Sequence, residues 1–140
     1  MRVILDTNIL ISALITQNTY PDRLYQAWRD GQFELLCCEQ QIDKLRAVTR
    51  RPAVSQLIKF SEAGHLINSI RGLAIMISRL PQVDIAIDPN DDFLLALAQA
   101  GQANYLVTGD TRALLSLKSF EDTQIITARD FALEVLHMKP

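Results

Sequence analysis

The sequence predicts an α/β fold, a mainly parallel sheet wound by helices on both faces. Two kinds of segment point to it: short apolar runs stopped by turn or capping residues, and longer segments with apolar residues at helical spacing. Their alternation along the chain is the third observation, because strands separated by helices pair in parallel.

Residues 2–5 form the first strand, with Val3-Ile4-Leu5 stopped by Asp6-Thr7-Asn8. Residues 8–15 and 22–30 carry helical patterns that fill the first crossover, the second of them stopped by Asp30-Gly31. Residues 33–37 are the second strand. Residues 39–50 form the next helix, and Pro52 holds Arg51 away from helical backbone and so ends it. Residues 54–79 read as one long helix or two divided near Gly64. There Leu66, Ile67, Ile70, Leu73, Ala74 and Ile77 recur at three- and four-residue steps, and Pro81 closes the stretch. Residues 83–87 add an edge strand. Helices over 91–100, 111–117 and 128–137 and strands over 104–107 and 124–126 complete the pattern. No repeat, linker or low-complexity segment interrupts it, so residues 1–140 are expected to form one domain.

Composition narrows the function. Hydrophobic residues make up 49% of the chain and charged ones 21%, which excludes a disordered protein. Fourteen basic and sixteen acidic residues leave a net charge of −2, so any contact with nucleic acid must come from a local patch. No apolar stretch reaches the ~18 residues of a membrane span, and the first residues lack the pattern of a signal peptide. A cytoplasmic protein without membrane contact is the expectation. Cys37 and Cys38 are adjacent at the end of a strand, where their side chains point to opposite faces. Two reduced, partly buried thiols are expected, in keeping with a reducing compartment.

Acidic residues recur where strands hand over to helices. Asp6 follows the first strand, Tyr105-Leu106-Val107-Thr108-Gly109 delivers Asp110, and Asp88-Pro89-Asn90-Asp91-Asp92 opens an apolar helix. Open α/β sheets build their sites in the crevice beyond the carboxyl ends of the strands. Hard divalent cations take carboxylate oxygens, so Asp6, Asp92 and Asp110 form a candidate metal site. Such an ion polarises a phosphodiester and activates water. Each aspartate also has a plainer reading as a helix N-cap.

These residues resemble a known family. Leu5-Asp6-Thr7-Asn8-Ile9-Leu10, the Asp88–Asp92 run followed by Ala96 and Ala98, and Val107-Thr108-Gly109-Asp110 look like a PIN domain. The resemblance extends over essentially the whole chain, through Phe33-Glu34-Leu35, Arg51-Pro52 and Ile125-Ile126-Thr127 with Phe131. It is strongest to toxin components of type II toxin–antitoxin systems, the VapC-like ribonucleases. It implies a three-layer α/β/α sandwich and an endoribonuclease dependent on Mg2+ or Mn2+, with RNA as substrate, a homodimeric state and inhibition by an antitoxin protein. It also implies that Asp6, Asp92 and Asp110 are metal ligands and catalytic residues, supported through hydrogen bonds by Thr7, Asn8 and Thr108.

The chain departs from the family pattern at Lys44. The family carries a glutamate in the helix after the second strand, before a leucine and upstream of Arg-Pro; here Lys44 precedes Leu45. Ile42, Leu45, Val48 and Thr49 define the buried stripe of that helix at about 100° per residue. Lys44 lies at one edge of the stripe, within reach of the crevice, whereas Asp43 falls opposite it and Glu39 is little better placed. A lysine beside the aspartates opposes cation binding, and an ion pair from Lys44 to Asp6 or Asp92 is expected. Ala113 is a milder departure, at a place where related domains carry another acid.

Other residues carry less. His65 and His137 stand alone. Arg50, Arg51, Lys59, Arg71 and Arg79 are read as a solvated face, with phosphate contact as the alternative. Tyr25 and Trp28 are read as core or dimer contacts, and the stripe over residues 66–77 as buried, with a homodimer or antitoxin surface as the alternative. Two other functions compete with the nuclease. A PIN domain that binds RNA or a protein without cutting is favoured by Lys44. An aspartate-nucleophile phosphotransferase would want a second acid two residues after Asp6, and the chain has Asn8 there.

Overall fold

The computed structural model describes residues 1–85, 88–109 and 113–140. Strand β1 (Arg2–Leu5) leads into helix α1 (Thr7–Ile15) and then α2 (Tyr20–Arg29), whose Thr19 hydroxyl accepts the Asp22 amide as an N-cap. Strand β2 (Glu34–Cys37) is followed by α3 (Glu39–Thr49), the short α4 (Pro52–Ser55), α5 (Phe60–Leu73) and strand β3 (Ile75–Met76). A 3₁₀ turn at Pro89–Asp91 enters α6 (Asp92–Gly101), and β4 (Tyr105–Val107) follows. A second 3₁₀ turn (Leu115–Leu117), β5 (Ser119–Phe120), β6 (Thr123–Ile126) and α7 (Ala128–Asp130) lead to a wider π turn over Phe131–Val135.

The described strands join in the order β3-β2-β1-β4-β6-β5, all parallel except the antiparallel β5. The sheet is mixed, mostly parallel and flanked by helices, the α/β/α architecture expected from the sequence. Alternation along the strands divides the core. Val3, Leu5, Leu35, Cys37 and Val107 pack with Leu24 and Trp28 of α2, Ile42 and Leu45 of α3, Leu66 and Ile70 of α5, and Phe131. Ile4, Leu36, Cys38 and Leu106 face the other way, onto Leu94, Leu95, Leu97 and Ala98 of α6. Strands buried on both faces explain the continuous apolar runs in the sequence. The two cysteines, free and buried, fall in different clusters, as their adjacency predicts.

Helix α6 lies very close to the sheet. A Cβ on Gly101 would stand 2.6 Å from a Leu36 methyl group, so a larger residue there would have to displace that methyl. Gln102 then ends the helix in the left-handed region, at φ 52°.

Several expectations are corrected. Residues 54–79 are not one helix or two parted at Gly64: Gly64 lies inside α5, and the break falls between Ser55 and Phe60. Pro52 both follows the end of α3 and occupies the first turn of α4, where its missing N–H costs nothing. The last part of the stripe is strand. Leu73-Ala74-Ile75-Met76-Ile77 is an unbroken apolar run between Gly72 and Ser78, and Ile75 and Met76 pair with Leu36 and Cys37. Its spacing fits a helix and a buried strand equally well. Residues 83–85 carry no strand; the rest of that expected strand lies outside the described residues. The expected 111–117 helix is reduced, where described, to the Leu115–Leu117 turn. Over 128–137 the helix widens after one turn, with the Leu136 amide donating to the Phe131 carbonyl at 3.0 Å. The Phe131 ring meets Phe33 and Tyr105 edge-on, at centroid distances of 5.6 and 5.3 Å.

Candidate metal and phosphate site

The sheet's strand order changes direction between β1 and β4, which opens a crevice at their carboxyl ends. The ladder carries the chain one residue past each strand. The Asp6 amide donates to the Val107 carbonyl at 2.9 Å, and the Thr108 amide to the Ile126 carbonyl at 3.0 Å. Asp6 and Thr108 are thereby held side by side, both buried. The Thr108 hydroxyl donates to Oδ2 of Asp6 at 2.7 Å. Such a charge-assisted bond is stronger than a neutral one.

The plainer reading of Asp6, as a capping side chain, is not met. The residue occupies the N-cap position of α1, yet its side chain accepts no amide of that helix. Its carboxylate turns to Thr108 instead. Asp88, by contrast, is an ordinary cap: its Oδ1 accepts the Asn90 amide at 3.0 Å.

The 3₁₀ turn opened by Asp88 separates two neighbouring acids. Asp91 is buried and lines a cleft of about 550 Å³ with Asn8, Gln40, Lys44, Val48, Arg51, Asp88 and Phe93. Asp92 turns to a neighbouring groove shared with Pro81, Gln82, Val83 and Ala96, and its Oδ1 accepts the Ile85 amide at 3.2 Å. Of the two, Asp91 lines the cleft with Asn8 and Lys44, while Asp92, which the sequence had singled out, lines the adjoining groove, and Gln40, Pro89 and Phe93 border both. Asp110 lies outside the described residues.

Lys44 lines the cleft, as its position at the edge of the α3 stripe predicts. The expected ion pair with Asp6 or Asp92 is not formed. The Lys44 ammonium stands over the Phe93 ring, 5.4 Å from its centroid, so α6 supplies an aromatic face rather than a carboxylate. Neither neighbouring acid of α3 turns inward. Asp43 is exposed and pairs with Arg46 at 3.9 Å, and Glu39 holds Arg71 through two bonds of 2.5 and 2.8 Å. The bonds to Arg71 hold the Glu39 carboxyl below its usual range.

Of the expected supporting residues, Thr108 bonds to Asp6 and Asn8 lines the cleft. Thr7 is fully buried, and its hydroxyl has no hydrogen-bond partner among the described residues. Sequence reasoning missed Gln41. Its side-chain amide donates to the Leu5 carbonyl at 2.8 Å, pinning α3 to the end of β1 beside Asp6. Its spacing of four and seven residues from Leu45 and Val48 marked it as a polar residue on the buried face.

Thiol and imidazole chemistry do not fit this site. Burial pushes the Cys37 thiol up to about 12 and raises Cys38 as well, so both stay protonated and unreactive at neutral pH. His65 and His137 are exposed, and His65 borders a different cavity with Tyr25, Arg29 and Glu62. Tyr25 and Trp28 are buried core residues in edge-on contact at 5.7 Å. Among the described residues no helix is long and apolar enough to cross a membrane. Nor do they contain a group of three or more acids, cysteines or histidines placed to hold a metal.

A family model described as a PIN domain matches residues 2–112, and the chain belongs to that family. Among solved structures, the crystal structure of VapBC2 from Rickettsia felis bound to a DNA fragment from their promoter contains a similar chain. The two share 17% identity and a TM-score of 0.57, over 91% of this chain and 98% of that one, a likeness of fold. No curated protein matches the sequence.

Proposed function

We propose that this chain is a metal-dependent endoribonuclease, a single PIN domain that hydrolyses RNA phosphodiesters as the toxin of a toxin–antitoxin pair. The observation that carries the reading is Asp6: a buried carboxylate at the sheet's switch point, bonded to Thr108 and not used as a helix cap. A buried acid with no structural duty at the local helix is the kind of group that functional sites retain.

The proposed cofactor is one hard divalent ion, Mg2+ or Mn2+. Asp6 and Asp91 offer carboxylate oxygens, and beside Asp6 the buried Thr7 hydroxyl has an unused hydrogen-bonding capacity among the described residues. Asp110, which also follows a strand, is proposed as a further ligand from its position in the sequence. When bound, the ion would polarise the phosphate and lower the pKa of its water. The protein's own part is positional. Thr108 fixes the Asp6 rotamer, Gln41 holds α3 against the end of β1, and the Asp88 cap orients the turn that carries Asp91.

The toxin assignment rests on the VapC-like sequence pattern and on the fold shared with a chain of the Rickettsia felis VapBC2 complex. An antitoxin protein, a homodimeric state and a cytoplasmic location belong to the same proposal. Two free buried thiols suit a reducing compartment. The second reading, an RNA- or protein-binding PIN domain that does not cut, is favoured by Lys44 on the cleft wall.

The test is cleavage of RNA by the full chain with Mn2+ and with EDTA, beside Asp6→Asn. Cleavage that needs the metal and disappears in Asp6→Asn is expected. Metal-dependent cleavage that survives Asp6→Asn would overturn the site, and no cleavage by either protein would leave the binding reading in its place.

A further inference from the structure

Lys44 and Arg51 both line the cleft that also holds Asn8 and Asp91. Among the described residues neither cation makes an ion pair; those formed are Arg46 with Asp43 and Arg71 with Glu39. Lys44 is half-buried and held over Phe93, while Arg51 is exposed at the entry to α4 and caps nothing with its side chain. A cation kept beside acids but bonded to none of them is available to an incoming anion.

The charge count at the cleft supports this use. Lys44 and Arg51 bring two positive charges to a cleft lined by Asp88 and Asp91. A glutamate at position 44 would make the same site two charges more negative, whatever other acids border it. With lysine there, the repulsion of a phosphate is that much smaller, and an ammonium and a guanidinium are there to donate to it.

We propose that Lys44 and Arg51 form a phosphate clamp that holds the RNA backbone in this cleft without a divalent ion, leaving the ion to cleavage alone. The clamp rests on the reading that RNA occupies this cleft. It does not require that the protein cut RNA. Lys44 and Arg51 are positioning residues, reaching the phosphate beside the bond that breaks.

The test is fluorescence anisotropy of a labelled single-stranded RNA of about ten nucleotides with the full chain in EDTA, across a salt series. Wild type is expected to bind. Lys44→Glu and Arg51→Ala should each weaken binding about tenfold or more, the loss of one charge-assisted contact. Arg51→Ala should also reduce the slope of log affinity against log salt by about 0.7, the value for one phosphate contact on a single strand. Lys44→Arg, which keeps the positive charge, should bind like wild type. Thermal melting checks that each variant folds, and Arg51, being exposed, supplies a clean second variant.

Binding in EDTA that neither substitution weakens would overturn the clamp. So would binding that appears only when Ca2+ is added, because a metal would then bridge the phosphate. If wild type binds in EDTA through both residues but never cuts with Mn2+, the clamp stands and the nuclease reading falls. If it cuts with Mn2+ but does not bind in EDTA, the nuclease reading stands and the clamp falls.

Discussion

Replacing Thr108 by valine keeps the size of the side chain and removes the hydroxyl that donates to Asp6 at 2.7 Å. Both residues are buried, so little water can take the place of that donor. A hydrogen bond to a charged group is worth about 1.5–3 kcal/mol. For a chain of this size, each kcal/mol lowers the melting temperature by about 3–4 °C, so Thr108→Val should melt roughly 5–10 °C below wild type. The same substitution made in an Asp6→Ala background should cost much less, since the carboxylate it served is gone. A double-mutant cycle in urea should therefore give a coupling of at least ~1 kcal/mol. Additive losses would mean that the hydroxyl does not hold Asp6, and the site's main organising contact would have to be sought elsewhere. Weaker Mn2+ binding by Thr108→Val, measured by electron paramagnetic resonance, would tie the same bond to the proposed metal.

The two adjacent acids offer a sharper test of placement: Asp91→Asn should weaken Mn2+ binding tenfold or more and Asp92→Asn by less than about threefold, since only Asp91 shares the cleft with Asn8 and Lys44. The reverse order would restore the assignment first read from the sequence. Alkaline stability should report Cys37, whose thiol is raised from 9.0 to about 12 by burial. Below pH 9 both folded and unfolded chains keep the proton and stability is unaffected. From about pH 9 to 12 only the unfolded chain loses it, so stability should fall by about 1.4 kcal/mol per pH unit more than in Cys37→Ala. Equal slopes in urea melts of the two proteins would contradict the burial of that thiol.

Much of the fold was legible because its signals are local. The strand ending at Leu5 is a run of apolar residues that needs cover on both faces, and it stops where Asp6 begins. The opposite facing of Cys37 and Cys38 follows from strand geometry alone, and the position of Lys44 from helical phase. The strand β3 was hidden because Ala74 and Ile77 continued the helical spacing of α5 while also belonging to an apolar run. Periodicity cannot separate those cases; pairing with Leu36 and Cys37 does.

The site divides along the same line. That a carboxylate would sit at the end of the first strand was written in the chain, because strand ends and helix starts are marked by neighbours a few residues away. Which acid would face Lys44 was not. The choice between Asp91 and Asp92 depends on the phase at which a capped 3₁₀ turn enters α6. The partner of Asp6 lies 102 residues away and is found only once β1 and β4 pair. Lys44, expected to bind an aspartate, faces Phe93 because α6 brings a ring to that wall. Short-range patterning therefore determines the elements and their candidate groups, while long-range packing selects which of those groups meet, since side-chain direction depends on how distant elements dock.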